Sequence, residues 1–419
     1  MAGYYGKRGE KPAAARKNSE NKGDFIDISS KSSVKSVYNK KNKVTRIVSM
    51  VMAIVFILAG CGLCYASSLF SSLGDDGTLD KLGKDYKVTD DDAGEGVVTD
   101  SKLLENADVL NVMLFGEDKK ATAESTGRSD TMILVSLDVK HKQLKLTSFL
   151  RDTYVYIPSG DDYAGWNKLN ASYSLGGAKL AVKTIESNFG VKIDRYGVID
   201  FSGFKEVIDA MGGVKIKITG SEARYINAQI DHNNQSCRHV AEKYCVSEYK
   251  TDKDGNPIYN RFGEQAEKTK AVKLNGQQAL WYARNRGSDE IGAEIFAGDD
   301  WDRTERQRKL LMAVVSNFKK ASFTDLVKVV NSIGPMITTN FKENDITSLM
   351  TSVLTFLNYP MYQFHIPIGE SADVNKLWTY DDNTPAGSVV RITDWDKTRK
   401  QLANYVFKMA DKKYRTKSD

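Results

Sequence analysis

Hydrophobic and polar positions divide the chain into regions of different character. Ile47 to Phe70 is a run of twenty-four residues without a charge, bounded by Arg46 and, further on, by Asp75. At a helical rise of about 1.5 Å per residue it can cross a hydrocarbon core of about 30 Å, so it predicts one transmembrane helix. From Val109 the pattern changes to short apolar runs alternating with stretches of helical period, which predicts an α/β domain. Val109 to Gly116, Thr131 to Leu137, Leu144 to Phe149, Tyr196 to Ile199 and Val214 to Ile218 read as strands. Gly177 to Asn188 reads as a helix, with Leu180, Ala181, Ile185 and Phe189 recurring at helical spacing. Phe201 to Met211 is a second, stopped by Gly212 and Gly213, followed by Gly276 to Ala283 and the long Asp302 to Ala321. The polar stretch 221–270 reads as an insertion or excursion from the domain 109–320, and 321–419 as a C-terminal part completing it. The expected architecture is α/β, a layered α-β-α domain with a central mixed sheet, preceded by the single span 47–70.

Charge gives the span a direction. The formal balance of +6 hides twelve Lys or Arg against four Asp or Glu before Ile47, and eleven acids against four bases from Ser71 to Asp108. Opposite charge on the two sides of one apolar segment is a membrane pattern rather than a nucleic-acid pattern. The positive-inside rule puts residues 1–46 in the cytoplasm and everything after Phe70 outside. The tail 1–46 lacks apolar periodicity and is expected to be disordered, lying against anionic lipid. Residues 71–108, rich in Gly and Asp, are expected to be a flexible acidic linker. A cleaved signal peptide is the competing reading of the N-terminus, and Leu58-Ala-Gly-Cys61 also looks like a lipoprotein cleavage box.

Cys61 and Cys64 lie in the span, whereas Cys237 and Cys245 lie in the exported part, where a disulfide is open to them. Four His and four Cys show no zinc spacing, so any metal is expected to be oxygen-ligated, Mg²⁺ with Mn²⁺ as the alternative. Asp118 follows one strand and Asp130 precedes another, so their carboxylates can converge at one sheet edge around a hard cation carrying phosphate. Taken alone, they also read as hairpin-turn residues. Arg151 follows a third strand. Arg284 and Arg286 end a short helix, and Arg303, Arg306 and Gln307 continue the apolar stripe Leu310, Leu311, Val314 and Phe318 toward a helix N-terminus. Cations there oppose the helix dipole, and a bound anion would resolve the conflict. Five arginines and two acids near sheet ends suggest a pyrophosphate site, because the guanidinium fork suits bidentate phosphate contacts.

Seven ordered motifs then resemble the LytR-CpsA-Psr family of bacterial cell-wall proteins. They are Gly116-x-Asp118, Gly127-Arg-Ser-Asp130-Thr-Met, Arg151-Asp-Thr153, Lys168-Leu-Asn-Ala-Ser-Tyr-Ser-Leu-Gly-Gly177, Asp200-Phe-Ser-Gly-Phe204 with Asp209-Ala-Met-Gly-Gly-Val214, Leu274 to Leu280 with Tyr282-Ala-Arg-Asn-Arg286, and Asp302-Arg-Thr-Glu-Arg-Gln307. The resemblance covers roughly residues 109 to 320. It implies an extracytoplasmic, membrane-anchored phosphotransferase that moves an anionic glycopolymer, such as teichoic acid or capsular polysaccharide, from a polyprenyl pyrophosphate carrier to peptidoglycan. A pyrophosphatase side activity is implied with it. Asp118 and Asp130 would hold Mg²⁺. Arg151, Arg284, Arg286 and Arg303 would contact pyrophosphate, with Arg306 and Gln307 beside them and Arg128 and Lys168 as further substrate contacts. The partners implied are the lipid-linked glycan, peptidoglycan and the membrane, with no nucleic acid. The alternative is a non-catalytic carrier-binding or envelope regulatory protein. Where the family usually has Pro before Arg-Asp-Thr, this chain has Leu150.

Overall fold

The structure is a computed structural model that describes residues 74–75, 97–118, 127–158, 165–286, 299–319, 332, 334–342, 355–369, 376–411 and 414. The chain divides into two compact units, 1–62 and 63–419, and every described residue lies in the second. The expected tail and transmembrane helix therefore fall outside the described residues, among which no helix is long and apolar enough to cross a membrane.

The strands are β1 (Gly74–Asp75), β2 (Val109–Asp118), β3 (Arg128–Asp138), β4 (Gln143–Phe149), β5 (Tyr154–Ile157), β6 (Gly165–Lys168), β7 (Arg195–Asp200), β8 (Val214–Ile218), β9 (Lys270–Leu274), β10 (Ile337–Thr339), β11 (Met361–Ile366), β12 (Trp378–Thr384) and β13 (Gly387–Ile392). The helices are α1 (Leu169–Phe189), α2 (Phe201–Ala210), α3 (Gly220–His232), α4 (Glu242–Cys245), α5 (Gly276–Arg284), α6 (Asp300–Phe318) and α7 (Trp395–Phe407). A seven-stranded mixed sheet runs in the order β1-β10-β7-β2-β3-β4-β11. β2 is antiparallel to β3 and parallel to β7, and β4 is parallel to β11.

Alternation along the central strands gives the sheet two apolar faces. Met113 and Phe115 of β2, Met132 and Leu134 of β3, and Tyr196 and Val198 of β7 pack against α1 and α7 in the largest core cluster. On the opposite face, Ile133 and Leu146 meet Met312 of α6. A second core beyond that face joins Ile208 of α2, Ile226 and Ile230 of α3, Trp281 and Tyr282 of α5, and Leu310 and Val314 of α6 with the β8–β9 ribbon. The order helix, sheet, helix is the layered α-β-α architecture expected from the sequence.

Three elements differ from their expected extents. α1 joins two helical segments across a kink at Gly176 and Gly177 (Gly177 φ 61°, ψ −158°): the second is the helix expected from Gly177, and the first, from Leu169, precedes it. The stretch 221–270 opens with a full helix, α3, held by a capping box in which Thr219 and Glu222 satisfy each other's backbone N–H. Residues 97–108, assigned to the linker, pack on α1: Val98 N donates to Ser187 O at 2.7 Å and Leu104 N to Gly190 O at 2.9 Å. Cys237 and Cys245 are both free thiols.

One buried ion pair ties α7 to the sheet. Lys145 is fully buried, and its ammonium donates to Asp138 Oδ2 at 2.6 Å and to the carbonyls of Val406 at 2.8 Å and Lys408 at 2.7 Å, so all three protons are used. Lys145→Met leaves the Asp138 carboxylate buried without its ammonium and should lower the stability measured by urea unfolding by about 3–5 kcal/mol. An unchanged midpoint would show that the pair holds nothing together. His365 on β11 supplies the pH dependence. Burial and the nearby Arg308 push its pKa down from 6.5 to about 4. Below pH 6.5 the unfolded chain takes up a proton that the folded chain refuses, so stability should fall as the pH drops toward 4. His365→Gln should flatten that part of the profile.

Candidate active site

The site begins with an irregularity in the β2–β3 ladder. Gly116 pairs with Thr131 and Glu117 with Ser129, which leaves Asp130 as the extra residue of a β-bulge. Ser129 Oγ donates to Thr131 O at 2.9 Å and pins the bulge from behind. Asp118, opposite Arg128 in the ladder, and Asp130 thereby share one sheet face. Gly127 lies so close to β2 that a Cβ there would meet the Asp118 carbonyl at 2.7 Å.

Arg151 reaches the same place from the end of β4. Thr153 closes a tight turn by donating through both N (3.1 Å) and Oγ1 (2.7 Å) to Leu150 O. Leu150 N donates to Ile366 O at 2.9 Å, a bond that a proline at this position has no N–H to make. The Leu150 side chain is buried with Trp301 and Trp378. Arg151 Nη1 then meets Asp130 Oδ1 at 2.9 Å and its Nε meets Asp300 Oδ2 at 3.1 Å. Arg303 comes from the first turn of α6: its Nη2 lies 2.8 Å from Asp300 Oδ2 and its Nη1 3.8 Å from Asp130 Oδ2. Two arginines are thus bridged by two carboxylates. Burial pushes the Asp130 carboxyl up, but Arg151 and Arg303 outweigh it and hold the pKa below the ordinary value. For Asp300 burial wins over the same arginines, and its pKa is raised. Arg303 is 3% exposed and its Nε is buried without a hydrogen-bond partner among the described residues.

Asp130 and Arg303 also form part of the wall of an apolar cavity of about 500 Å³ between the sheet and α2, α5 and α6. The sheet side is Leu114, Gly116, Ile133, Gly197 and Ile199, which the strand register puts on one face. The helix side includes Phe204, Leu280, Leu310 and Val314. Gly116 and Gly197 leave this face without side chains in its centre. A Cβ on Gly197 would find its nearest neighbour, Leu114 Cδ2, at an ordinary 3.7 Å, so the space beyond is open. Arg284, Arg286 and Gln307 complete the polar part of the wall.

The site residues expected from the sequence divide into groups. Asp130, Arg151 and Arg303 meet directly. Arg284 lies over the rings of Phe201 and Trp281, and its Nη2 is 3.6 Å from Asp118 Oδ2. Arg286 and Gln307 line the cavity beside them, Lys168 reaches Asp152 at 3.1 Å, and Arg128 is exposed on the rim. Arg306 stands apart: it is buried, and its Nε pairs with Glu222 at 3.1 Å while its Nη1 donates to Asn285 O at 3.2 Å. The charge at the start of α6 also differs from expectation. Asp299 caps the helix in a box with Asp302, and Asp300 neutralises Arg303, so the chain's own acids meet the helix dipole. Asp300 is the residue of this cluster that was not among the site residues expected from the sequence.

Among the described residues no group of three or more His, Cys, Asp or Glu is arranged to hold a metal ion. The donor set of Asp118 and Asp130 is nevertheless the right chemistry for a hard cation. Both carboxylates are about one-third exposed and lie on one face, and a cation there would share oxygens that now face Arg151, Arg303 and Arg284.

The cavity is apolar along its strands and helices and ends at a basin of arginines and carboxylates, one wall greasy and the other charged. The chain belongs to the LytR_cpsA_psr family, whose model matches residues 76–393. It is 32% identical over 234 residues to the polyisoprenyl-teichoic acid–peptidoglycan teichoic acid transferase TagV of Bacillus subtilis, covering 56% of this chain and 50% of that relative. To the enzyme of the same description named TagU in Bacillus cereus it is 28% identical over 302 residues, 71% of this chain and 80% of the relative. The chain thus spans half the length of the first and four-fifths of the second. The solved structure of TagT bound to LI-WTA shares the fold, with a TM-score of 0.50 at 20% identity over 75% of this chain and 97% of that one.

Asp300→Asn removes one of the two bridges between Arg151 and Arg303 and should lower stability by about 1–3 kcal/mol in urea unfolding. Inorganic diphosphate should restore part of the loss by binding the folded state. A variant as stable as the parent would mean that Asp300 does not bridge the arginines.

Proposed function

We propose that this chain is a membrane-anchored, extracytoplasmic transferase that moves an anionic glycopolymer from a polyprenyl diphosphate carrier to peptidoglycan. The observation that carries the proposal is the continuity of the apolar cavity with the basin of Arg151, Arg303, Asp130 and Asp300. The prenyl chain would lie between the sheet and α2, α5 and α6, and the diphosphate would lie against the arginines. Family membership and the similarity to the teichoic acid transferases TagV and TagU support the same reaction. Ile47 to Phe70 would anchor the chain, with residues 1–46 inside and the α/β domain outside.

In the reaction, a hydroxyl oxygen of the acceptor sugar forms a bond to the glycan-side phosphorus, and the bond from that phosphorus to the bridging oxygen breaks. Polyprenyl phosphate leaves, the glycan phosphodiester is formed, and the hydroxyl proton passes to a base, a role we assign to Asp118. Charge grows on the non-bridging and leaving oxygens. Buried guanidinium groups fixed before substrate arrives stabilise it without reorganising, the dominant contribution in phosphoryl transfer. Diphosphate takes up the fork of Arg303, whose Nε is unused, and displaces Asp300 from the arginines. Asp118 and Asp130 would hold Mg²⁺ or Mn²⁺, which supplies further neutralisation of phosphate charge when bound. With water in place of the sugar hydroxyl, the same groups support a pyrophosphatase side activity. Teichoic acid is the cargo favoured by the relatives, and capsular polysaccharide is the second.

The test uses the full chain in detergent with a polyprenyl diphosphate-linked glycan and peptidoglycan fragments. Arg303→Ala should lower the rate of phosphodiester formation by roughly 10²–10³-fold with the protein still folded. Gly197→Phe, which fills the cavity, should raise KM for a long-chain donor and leave inorganic diphosphate binding unchanged. Full turnover by Arg303→Ala would refute the assignment. Tight donor binding by the parent with no product from any acceptor would instead favour the carrier-binding regulatory role.

A further inference from the structure

A second, larger cavity of about 1170 Å³ lies on the other flank of α6. The first three turns of that helix divide their side chains: Asp300 and Arg303 face the basin, while Trp301, Asp302, Glu305 and Arg308 line this second space. The two sites are therefore separated by the width of one helix, about 10 Å. Most charges on the cavity wall are matched. Arg306 pairs with Glu222 at 3.1 Å, Lys309 with Glu305 at 2.7 Å and Arg261 with Asp302 at 3.0 Å.

Arg308 is the exception. It is 6% exposed, its Nε reaches only Gln363 Oε1 at 3.4 Å, and its Nη1 is buried with no partner among the described residues. Burial pushes its pKa down to about 10, the sign of a cation held without adequate compensation. The nearest acid, Glu305, is already paired with Lys309 and offsets only part of the burial, so an anion entering the cavity would lower the remaining cost. On the same wall, Phe262 and Tyr249 of the 221–270 excursion are 43% and 48% exposed, Phe262 with the Arg261 guanidinium 4.7 Å over its ring, beside the amides of Asn260 and Gln363. Half-exposed aromatic faces, amides and one unmatched guanidinium are the chemistry that holds a sugar ring bearing an acidic group.

We propose that this cavity seats an anionic glycan segment, with Arg308 holding its carboxylate or phosphate and Phe262 and Tyr249 stacking on its sugar rings. The inference rests on the transferase reading of the adjacent basin only for the source of that segment: an acceptor strand brings carboxylates, a donor polymer phosphates. A glycan seated there would present a hydroxyl or its own phosphate at the α6 N-terminus, one helix width from the arginines.

Calorimetric titration of the full chain in detergent tests it with three probes: an amino-sugar disaccharide bearing a lactyl carboxylate, the same disaccharide as its neutral amide, and one esterified with glycerol phosphate. At least one anionic probe should bind about tenfold or more tightly than the amide. Tighter binding of the carboxylate identifies the acceptor, and of the phosphate ester the donor. Arg308→Met should raise the midpoint of thermal unfolding while weakening the anionic probe at least about tenfold. Phe262→Ala, at an exposed position, should weaken all three probes. Polyprenyl diphosphate, titrated in parallel, should bind both variants as it binds the parent. If the parent binds the anionic disaccharide but not polyprenyl diphosphate, the cavity assignment stands and the transferase reading falls. If the parent binds neither anionic probe at millimolar concentration, or if both variants bind them like the parent, the cavity assignment is overturned.

Discussion

The arrangement of this protein depends on two guanidinium groups that are kept out of water and yet kept available. Arg151 and Arg303 are 18% and 4% exposed in their side chains, and neither would be tolerated there without Asp130 and Asp300 between them. Each carboxylate comes from a different device of the chain: a β-bulge for Asp130 and the first residue of a helix for Asp300. Arg151 is fixed by a turn whose backbone is bonded to β11, so the geometry is set before any ligand arrives. Preorganisation of this kind costs stability in the free protein and returns it when an anion takes the place of the acids.

The sheet serves the basin by having two unlike faces. One is a filled core of large side chains against α1 and α7. On the other, glycines at 116 and 197 put no side chains into the space between the strands and the helices of the opposite layer, and that space is part of the apolar cavity. A second core, built on α2, α3, α5, α6 and the β8–β9 ribbon, keeps that outer layer in place without closing the gap. The length of α6 then couples everything: its N-terminus carries Asp300 and Arg303, its middle lines the apolar cavity with Leu310 and Val314, and its opposite flank carries Arg308.

Much of this was legible in the chain itself. Alternation over Val109 to Gly116 and Thr131 to Leu137 located the two central strands, the Gly212-Gly213 stop marked the end of α2, and α5 and α6 were also read as helices. Helix α3 escaped because its polar surroundings masked the signals it did carry, Thr219 three residues before Glu222 and Ala223, Ile226 and Ile230 at helical spacing. Asp300 escaped because the conflict between Arg303 and the helix dipole was read as calling for a bound anion, whereas the chain's own acids at the start of α6 answer it. Arg306 was grouped with Arg303 because helical steps put it only roughly 60° away, with Gln307 roughly 40° to the other side. That arc is wide enough for one edge to meet Glu222 of α3 and the other the apolar cavity. The cavity itself has no sequence signature, since leucines and valines around a gap alternate as they do around a core. Only the two glycines distinguish them, and their meaning depends on which strands are neighbours.

The most direct measurement is an experimental structure of the full chain bound to a polyprenyl diphosphate. Density for the diphosphate between Arg151 and Arg303, with Asp300 moved off the arginines and the prenyl chain running between β2, β3 and β7 and helices α2 and α6, is the predicted result. A lipid seated elsewhere, with the bridges of Asp130 and Asp300 to both arginines intact, would contradict it.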